Sequence, residues 1–272
     1  MIKFQTRRRD KTGTPILSNE DIIAHAERVL GDYKPQLLKD PGSVNDLHFI
    51  ESYLGATVEY QDIYYGSGEQ PIAGATVFND DVVKVFNREG QCTSNISVKA
   101  NTIIIDNATL QPGKEGFAKF TALHEGGHLY FHPDCYRLNP RQCSIFEPVK
   151  EGGSVLCCRT ASIERRPYNP YRSYSPEECR EHQANVFAAY LAMPRQTFIP
   201  FAVKLIKGAG FEDGIFIHND RDWESEYALK EIAMQIVSTY GVSETAAKIH
   251  LEDLKLVMPK YKYDLMKAQA AI

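Results

Sequence analysis

The sequence predicts an α+β fold. A small, mostly antiparallel sheet packs on a histidine-bearing helix, a second helix faces the first, and a helical C-terminal region follows. Three observations point there. Residues 56–107 hold several short β-type runs. The stretch FAKFTALHEGGHLYFHP, Phe117 to Pro133, reads as one helix carrying His124-Glu125-Gly126-Gly127-His128. From about residue 175 onward, apolar residues recur at helical spacing.

Composition narrows the function classes. The 272 residues are 43% hydrophobic and 24% charged, as in an ordinary globular protein. A net charge of −4 gives no general affinity for nucleic acid or anionic membrane. No apolar run approaches the ~20 residues that a bilayer requires. The basic N-terminus, MIKFQTRRRDKTGTP, lacks the apolar core of a secretory signal. Cys92, Cys135, Cys143, Cys157, Cys158 and Cys179 are too few for a disulfide scaffold in this length, so a cytoplasmic setting with reduced thiols is expected.

In chain order, residues 1–17 read as a flexible lead. Ser18, with Asp21 three residues on, is a capping box that opens a helix through Ile22, Ile23, Ala26, Val29 and Leu30, closed by Gly31. A second helix is expected from Val44 to Leu54, with Leu47, Ile50 and Leu54 on one side and Gly55 at its end. The runs 57–60, 74–78, 82–86 and 102–106 read as strands, with a tight turn at Asn79-Asp80-Asp81 and a further strand within 91–100. Lys114 to Phe131 is then the histidine helix, which Pro133 cannot continue. Residues 134–175 lack a period and hold four of the six cysteines, with a short strand at 154–158. Ser175-Pro176-Glu177-Glu178 opens the next helix, which runs to Met193. Helices at 195–207, 228–240 and 243–256 and a fraying tail complete the chain, and the best composition break lies at 208–222. The domain reading is a lead (1–17), a main domain (18–207, with the cysteine-bearing loop 134–175) and a helix-turn-helix-like C-terminal subdomain (208–272).

Four residues on a helix turn through about 400°, so His124 and His128 point about 40° apart, one turn along, with Glu125 on the same face. That face suits two imidazoles on a zinc ion and a carboxylate base beside it. A third ligand is needed. Glu181 and Asn185 share a face of the helix that Ser175 opens, while Ala184, Phe187, Ala188 and Leu191 form the stripe that packs it on the first. Glu181 is therefore the candidate ligand, and Asn185 orients a ligand histidine or a backbone carbonyl. Glu177 and Glu178 fit first-turn capping charges, and Glu164 lies in the loop. Gly126 and Gly127 each cost ~1 kcal/mol inside a helix, which marks a functional or closely packed site.

His124-Glu125-Gly126-Gly127-His128-Leu129-Tyr130-Phe131-His132, followed by Glu181-x-Gln183-Ala184-Asn185-x-Phe187-Ala188-Ala189-x-Leu191-x-Met193-Pro194, resembles the ImmA/IrrE family of zinc metallopeptidases. The resemblance covers about residues 45–195. It implies a zincin-like peptidase domain with zinc on His124, His128 and Glu181 and with Glu125 as base. It also implies a helix-turn-helix repressor as the protein substrate, cut so that mobile-element or stress genes are switched on. The chain departs in its longer, cysteine-bearing loop and in lacking the N-terminal DNA-binding domain fused to some members. For the oxyanion, Tyr130, Tyr168, Tyr171, Tyr174 and His182 all stay open, and the 102–106 strand is expected to offer its edge to an extended substrate.

Other signals have plainer readings. His132 is one turn too far to share an ion with His124 and is expected to cap the helix end. His182 reads as a surface residue or one that supports the site, and His25, His48, His218 and His250 read as structural. The cysteines of the loop lack the C-x-x-C pairs of zinc modules and read as ordinary thiols. Residues 228–257 have a helix-turn-helix rhythm, the source of a rival reading as a zinc-containing DNA-binding or sensor regulator without protease activity. Yet Ala228 to Lys267 carries six lysines against five acids, so a packing or substrate-docking role is expected instead, with no direct nucleic-acid binding.

Overall fold

The computed structural model describes residues 1–66, 68–137, 155–159, 174–219 and 222–270. Helix α1 (Asn19–Tyr33) opens on the expected capping box: Ser18 Oγ accepts from Asp21 N–H at 3.2 Å and Asp21 Oδ2 accepts from Ser18 N–H at 2.9 Å. It runs two residues beyond Gly31. Next, α2 (Asp46–His48) passes into a π-helical stretch (Phe49–Leu54) that ends at Gly55 in the left-handed region, φ 69°. The wider winding changes the buried face. Phe49 and Ile50 are buried, whereas Leu47, expected inside, is 37% exposed.

The α+β class holds, with a mixed central sheet. Strands β1 (Thr57–Gln61), β2 (Ile72–Val77), β5 (Thr102–Asp106) and β6 (Val155–Arg159) lie in the order β1-β5-β2-β6. β2 is antiparallel to both neighbours, but β1 and β5 pair in parallel, Thr57 opposite Thr102 through Gln61 opposite Asp106. Strands β3 (Asp81–Asn87) and β4 (Cys92–Val98) form a separate hairpin. The turn at Asn79-Asp80-Asp81 thus leads from one sheet to the other, and Asp80 is held there by Lys99 Nζ at 2.7 Å and Ala100 N–H at 2.9 Å. β5 lies between β1 and β2, so the expected free edge at 102–106 does not exist. Alternation sorts its side chains: Ile103 and Ile105 join the helical core, and Ile104 packs with Val83, Val85 and Val98 of the hairpin.

Helix α3 (Glu115–Phe131) lies across β2 and against α5 (Pro176–Ala192), with α4 (Pro133–Tyr136) directly after it. Gly127 permits the approach to α5, and Gly126 the approach of the Phe49–Leu54 stretch. A Cβ at Gly127 would lie 3.2 Å from Ala184 Cα, and one at Gly126 3.2 Å from Leu54 Cδ1. Tyr130 stacks on Phe187 with ring centroids 5.1 Å apart, and Phe131 meets the same ring edge-on.

The N-terminal lead, expected to be flexible, is docked. Phe4 packs edge-on against Phe131 at 4.8 Å, Arg9 pairs with Asp134 at 2.7 Å, and Thr14 and Pro15 are buried against α5. Its bonds go to Arg180 Nη1 and Gln183 Nε2, buried donors that thereby gain acceptors.

The C-terminal elements are α6 (Arg195–Gly208), β7 (Phe216–His218), α7 (Trp223–Tyr240), α8 (Glu244–Asp253), β8 (Val257–Pro259) and α9 (Lys260–Ala270). The tail expected to fray is helical, and Lys267 pairs with Asp213 at 2.8 Å. One hydrophobic core runs from α1 through α8 and is continuous across residue 208. In α8, the second helix of the helix-turn-helix rhythm, Ala247, His250 and Leu251 are buried, and His250 Nε2 donates to Met193 O at 3.0 Å. Among the described residues no helix is long and apolar enough to cross a membrane.

Lys119 ties this region to α3. Its buried ammonium donates to Tyr240 O at 2.8 Å, at the C-terminal end of α7, and to Ser43 Oγ. Burial pulls its pKa down to about 8. Between about pH 8 and the unfolded value of about 10.4, the unfolded chain binds more protons, so stability rises with pH. By about pH 9.5 that gain reaches about 2 kcal/mol. In Lys119→Met the Lys119 share of the rise should vanish, which urea midpoints of both proteins at about pH 7 and about pH 9.5 would read directly.

Candidate metal centre

Three elements bring the expected residues together. α3 supplies His124, Glu125 and His128, α5 supplies Glu181 and Asn185, and β2 lies alongside Glu125. His124 Nε2 and His128 Nε2 face each other at 2.9 Å. Glu181 Oε2 is 3.6 Å from the first and Oε1 is 3.3 Å from the second. Donors held tetrahedrally at zinc–nitrogen and zinc–oxygen distances lie about 3.3 Å apart, so the spacing fits one ion.

Hydrogen-bond partners fix the tautomers. Gln183 Nε2 donates to Pro15 O at 2.7 Å, which leaves Gln183 Oε1 to accept from His132 Nε2 at 2.9 Å. His132 Nδ1 then accepts from His128 Nδ1 at 3.0 Å, and His128 Nε2 is left with a lone pair. On the other side, His124 Nδ1 donates to Asn185 Oδ1 at 2.8 Å, which leaves its Nε2 with a lone pair too. In these tautomers two lone pairs and a carboxylate converge on one buried point, an arrangement that a cation would satisfy.

The electrostatics of His128 and Glu181 fit neutral and ionised ligands, while His124 is drawn toward its protonated form. Burial lowers the pKa of His128 to about 4, which keeps it neutral. For His124 burial works the same way, but Glu181 outweighs it and the pKa is raised. Burial pushes Glu181 up, yet the two histidines hold it well below the usual carboxylate range. The pocket thus favours a positive charge between the three residues.

Glu125 is fully buried, and burial lifts its pKa to about 7 against the pull of His124 and Thr76. Thr76 Oγ1 donates to Oε2 at 2.5 Å, while Oε1 has no hydrogen-bond partner. Gly74 makes room for it, since a Cβ there would lie 2.9 Å from Oε1. One more donor lies in the group. Cys158 of β6 is fully buried, and its Sγ is 3.5 Å from Glu181 Oε2.

Several roles differ from expectation. His132 does close α3, but it is fully buried and relays between His128 and Gln183 rather than capping an exposed helix end. Its i, i+4, i+8 spacing with His124 and His128 was the available signal. His182 turns toward α1, bonding Asn19 Oδ1 at 2.7 Å. Glu177 pairs with Arg180, and Glu178 completes the capping box at Ser175, as read. Tyr130 is in the aromatic core, with its hydroxyl 3.3 Å from His25 Nδ1. Cys143, Glu164, Tyr168 and Tyr171 lie outside the described residues. Thr76, Gly74, Gln183, Pro15 and Cys158 were not assigned from sequence, because their roles depend on contacts between distant segments.

No protein-family model matches the chain, and no curated protein matches it. The family resemblance therefore rests on the residues of α3 and α5 themselves.

Gln183→Leu removes the acceptor that sets the His132 and His128 tautomers. We expect zinc affinity to fall about 10- to 100-fold with the fold intact, measured by competition with a chromophoric chelator. An unchanged affinity would show that the relay does not set the ligand.

Proposed function

We propose that the chain is a zinc-dependent endopeptidase with a zincin-like site. The observation that carries this reading is the convergence of two imidazole lone pairs and the Glu181 carboxylate beside the unpartnered oxygen of Glu125. His124, His128 and Glu181 would hold the zinc, which when bound would supply Lewis acidity toward a peptide carbonyl and a water.

Glu125 handles the proton. With Oε2 held by Thr76, Oε1 accepts a proton from the attacking water and then gives it to the leaving amine nitrogen. A carboxyl with a pKa near neutrality suits both transfers. Asn185 and the His132–Gln183–Pro15 relay keep the two ligand rings in the binding tautomer.

The resemblance gives the substrate class: a helix-turn-helix repressor, whose cleavage would derepress mobile-element or stress genes. A zinc-containing regulator without protease activity is the second reading. Cys158 near the donors favours it, since a four-ligand protein site is the structural kind. It leaves Glu125 Oε1 unexplained, because a purely structural site has no use for a buried oxygen left unpaired.

Glu125→Gln keeps the shape and can still accept from Thr76, but it cannot take the proton. Cleavage of a co-expressed repressor, followed by cleavage-site mapping, should fall by about 10²- to 10⁴-fold with zinc content unchanged. Full-rate cleavage by the variant would rule out the peptidase mechanism. Chelation should abolish cleavage by the wild-type protein, and added zinc should restore it.

A further inference from the structure

Cys158 stands in the site by construction of the sheet. β6 pairs antiparallel with β2, Val77 opposite Val155 through Gly74 opposite Cys158. Directly opposed residues in a sheet present their side chains to the same face. Gly74 has none, so its place against α3 is taken by Glu125 and Thr121, and Cys158 is the opposed residue that carries a side chain on that face. One nitrogen of His124, Cys158 Sγ and one oxygen of Glu181 all lie within 4.8 Å of one another. The 3.5 Å from Sγ to Glu181 Oε2 equals the about 3.5 Å expected between sulfur and oxygen on one tetrahedral zinc. Cys157, the next residue in the strand, points the other way and is exposed.

The position of β6 matters as much as its thiol. β2 carries Gly74 and Thr76, both against Glu125, so a strand laid antiparallel along β2 passes over the reacting groups. That is how an extended peptide adds to a sheet beside a site. Glu125 Oε1, fully buried, has no hydrogen-bond partner with β6 in place.

We propose that Cys158 is the fourth metal ligand and that β6 takes the place of an extended substrate along β2, so that this chain closes its own site. The inference rests on the zinc-peptidase reading above. As the sulfur–zinc bond forms, the thiol proton passes to solvent water, and it returns when that bond breaks, with no change of oxidation state. While the sulfur is bound, the position needed by water is filled. Opening requires β6 to leave β2.

The test is zinc X-ray absorption on the full-length, zinc-loaded protein. One sulfur at about 2.3 Å is expected in addition to nitrogen and oxygen ligands at about 2.0–2.1 Å. In Cys158→Ala the sulfur shell should be lost with one zinc per chain retained, while Cys157→Ala should keep it. The cobalt-substituted proteins give a second readout: acetohydroxamate should alter the spectrum of Cys158→Ala and leave that of the wild type unchanged. Zinc bound by nitrogen and oxygen alone in the wild type overturns the inference and leaves the peptidase reading standing. Failure to bind zinc at all removes both. The wild-type measurement decides even if the alanine variant does not fold, and an equal response of both cobalt proteins to acetohydroxamate also overturns the closure.

Discussion

The candidate site depends on two ring nitrogens held face to face at 2.9 Å. Nothing in a helix with histidines at i and i+4 enforces that arrangement; an unrestrained ring could turn, or move its proton to the inner nitrogen. Asn185 prevents it at His124, and a chain of three bonds ending at a backbone carbonyl prevents it at His128. The carbonyl belongs to Pro15, so the N-terminal segment sets the protonation of a residue more than a hundred positions away. The docking of that segment on α5 is thus part of the site.

The sheet and the C-terminal helices hold α3 in place for this purpose. β2 is buried throughout and must approach α3 closely enough for Thr76 to reach Glu125, which only a residue without a side chain at position 74 allows. At its other end α3 passes the turn between α7 and α8, where a Cβ on Gly116 would fall on the Val242–Ser243 backbone. Lys119 fastens the same turn through the last carbonyl of α7. The region with helix-turn-helix rhythm therefore spends its apolar faces, and the turn itself, on holding the histidine helix.

Local signals made much of this legible in the sequence. The capping boxes at Ser18 and Ser175, the four-residue spacing of His124 and His128, and the shared face of Glu181 and Asn185 all act within one or two helical turns. The strands were legible by their residue types, but their order was not. Register along β1, β5, β2 and β6 is set by segments up to about a hundred residues apart, so the parallel β1–β5 pair and the interior place of β5 could not be read locally. The same reason hid Cys158, which looks like an ordinary thiol until β6 is laid beside Gly74. In the stretch Phe49–Leu54 the helical period found Ile50 and Leu54 but missed Phe49, which the π-helical winding also turns inward.

The costs of the fold are gathered at one place. A buried carboxylate oxygen without a partner costs about 1–3 kcal/mol, and the two helical glycines about 1 kcal/mol each. Elsewhere among the described residues, buried side-chain polar atoms lacking a partner are confined to Arg180 Nε and Tyr240 Oη, and Arg180 lies directly beside Glu181 in sequence. A chain selected for stability alone would replace Glu125 with an apolar residue and fill Gly74, since both sit inside otherwise close-packed surroundings. Gly126 and Gly127 are repaid by the close approach of the Leu54 side chain and of α5, but the unsatisfied Oε1 is repaid by no contact in the fold. That oxygen stands beside the cluster of His124, Cys158 and Glu181, which is where the cost of the fold is concentrated.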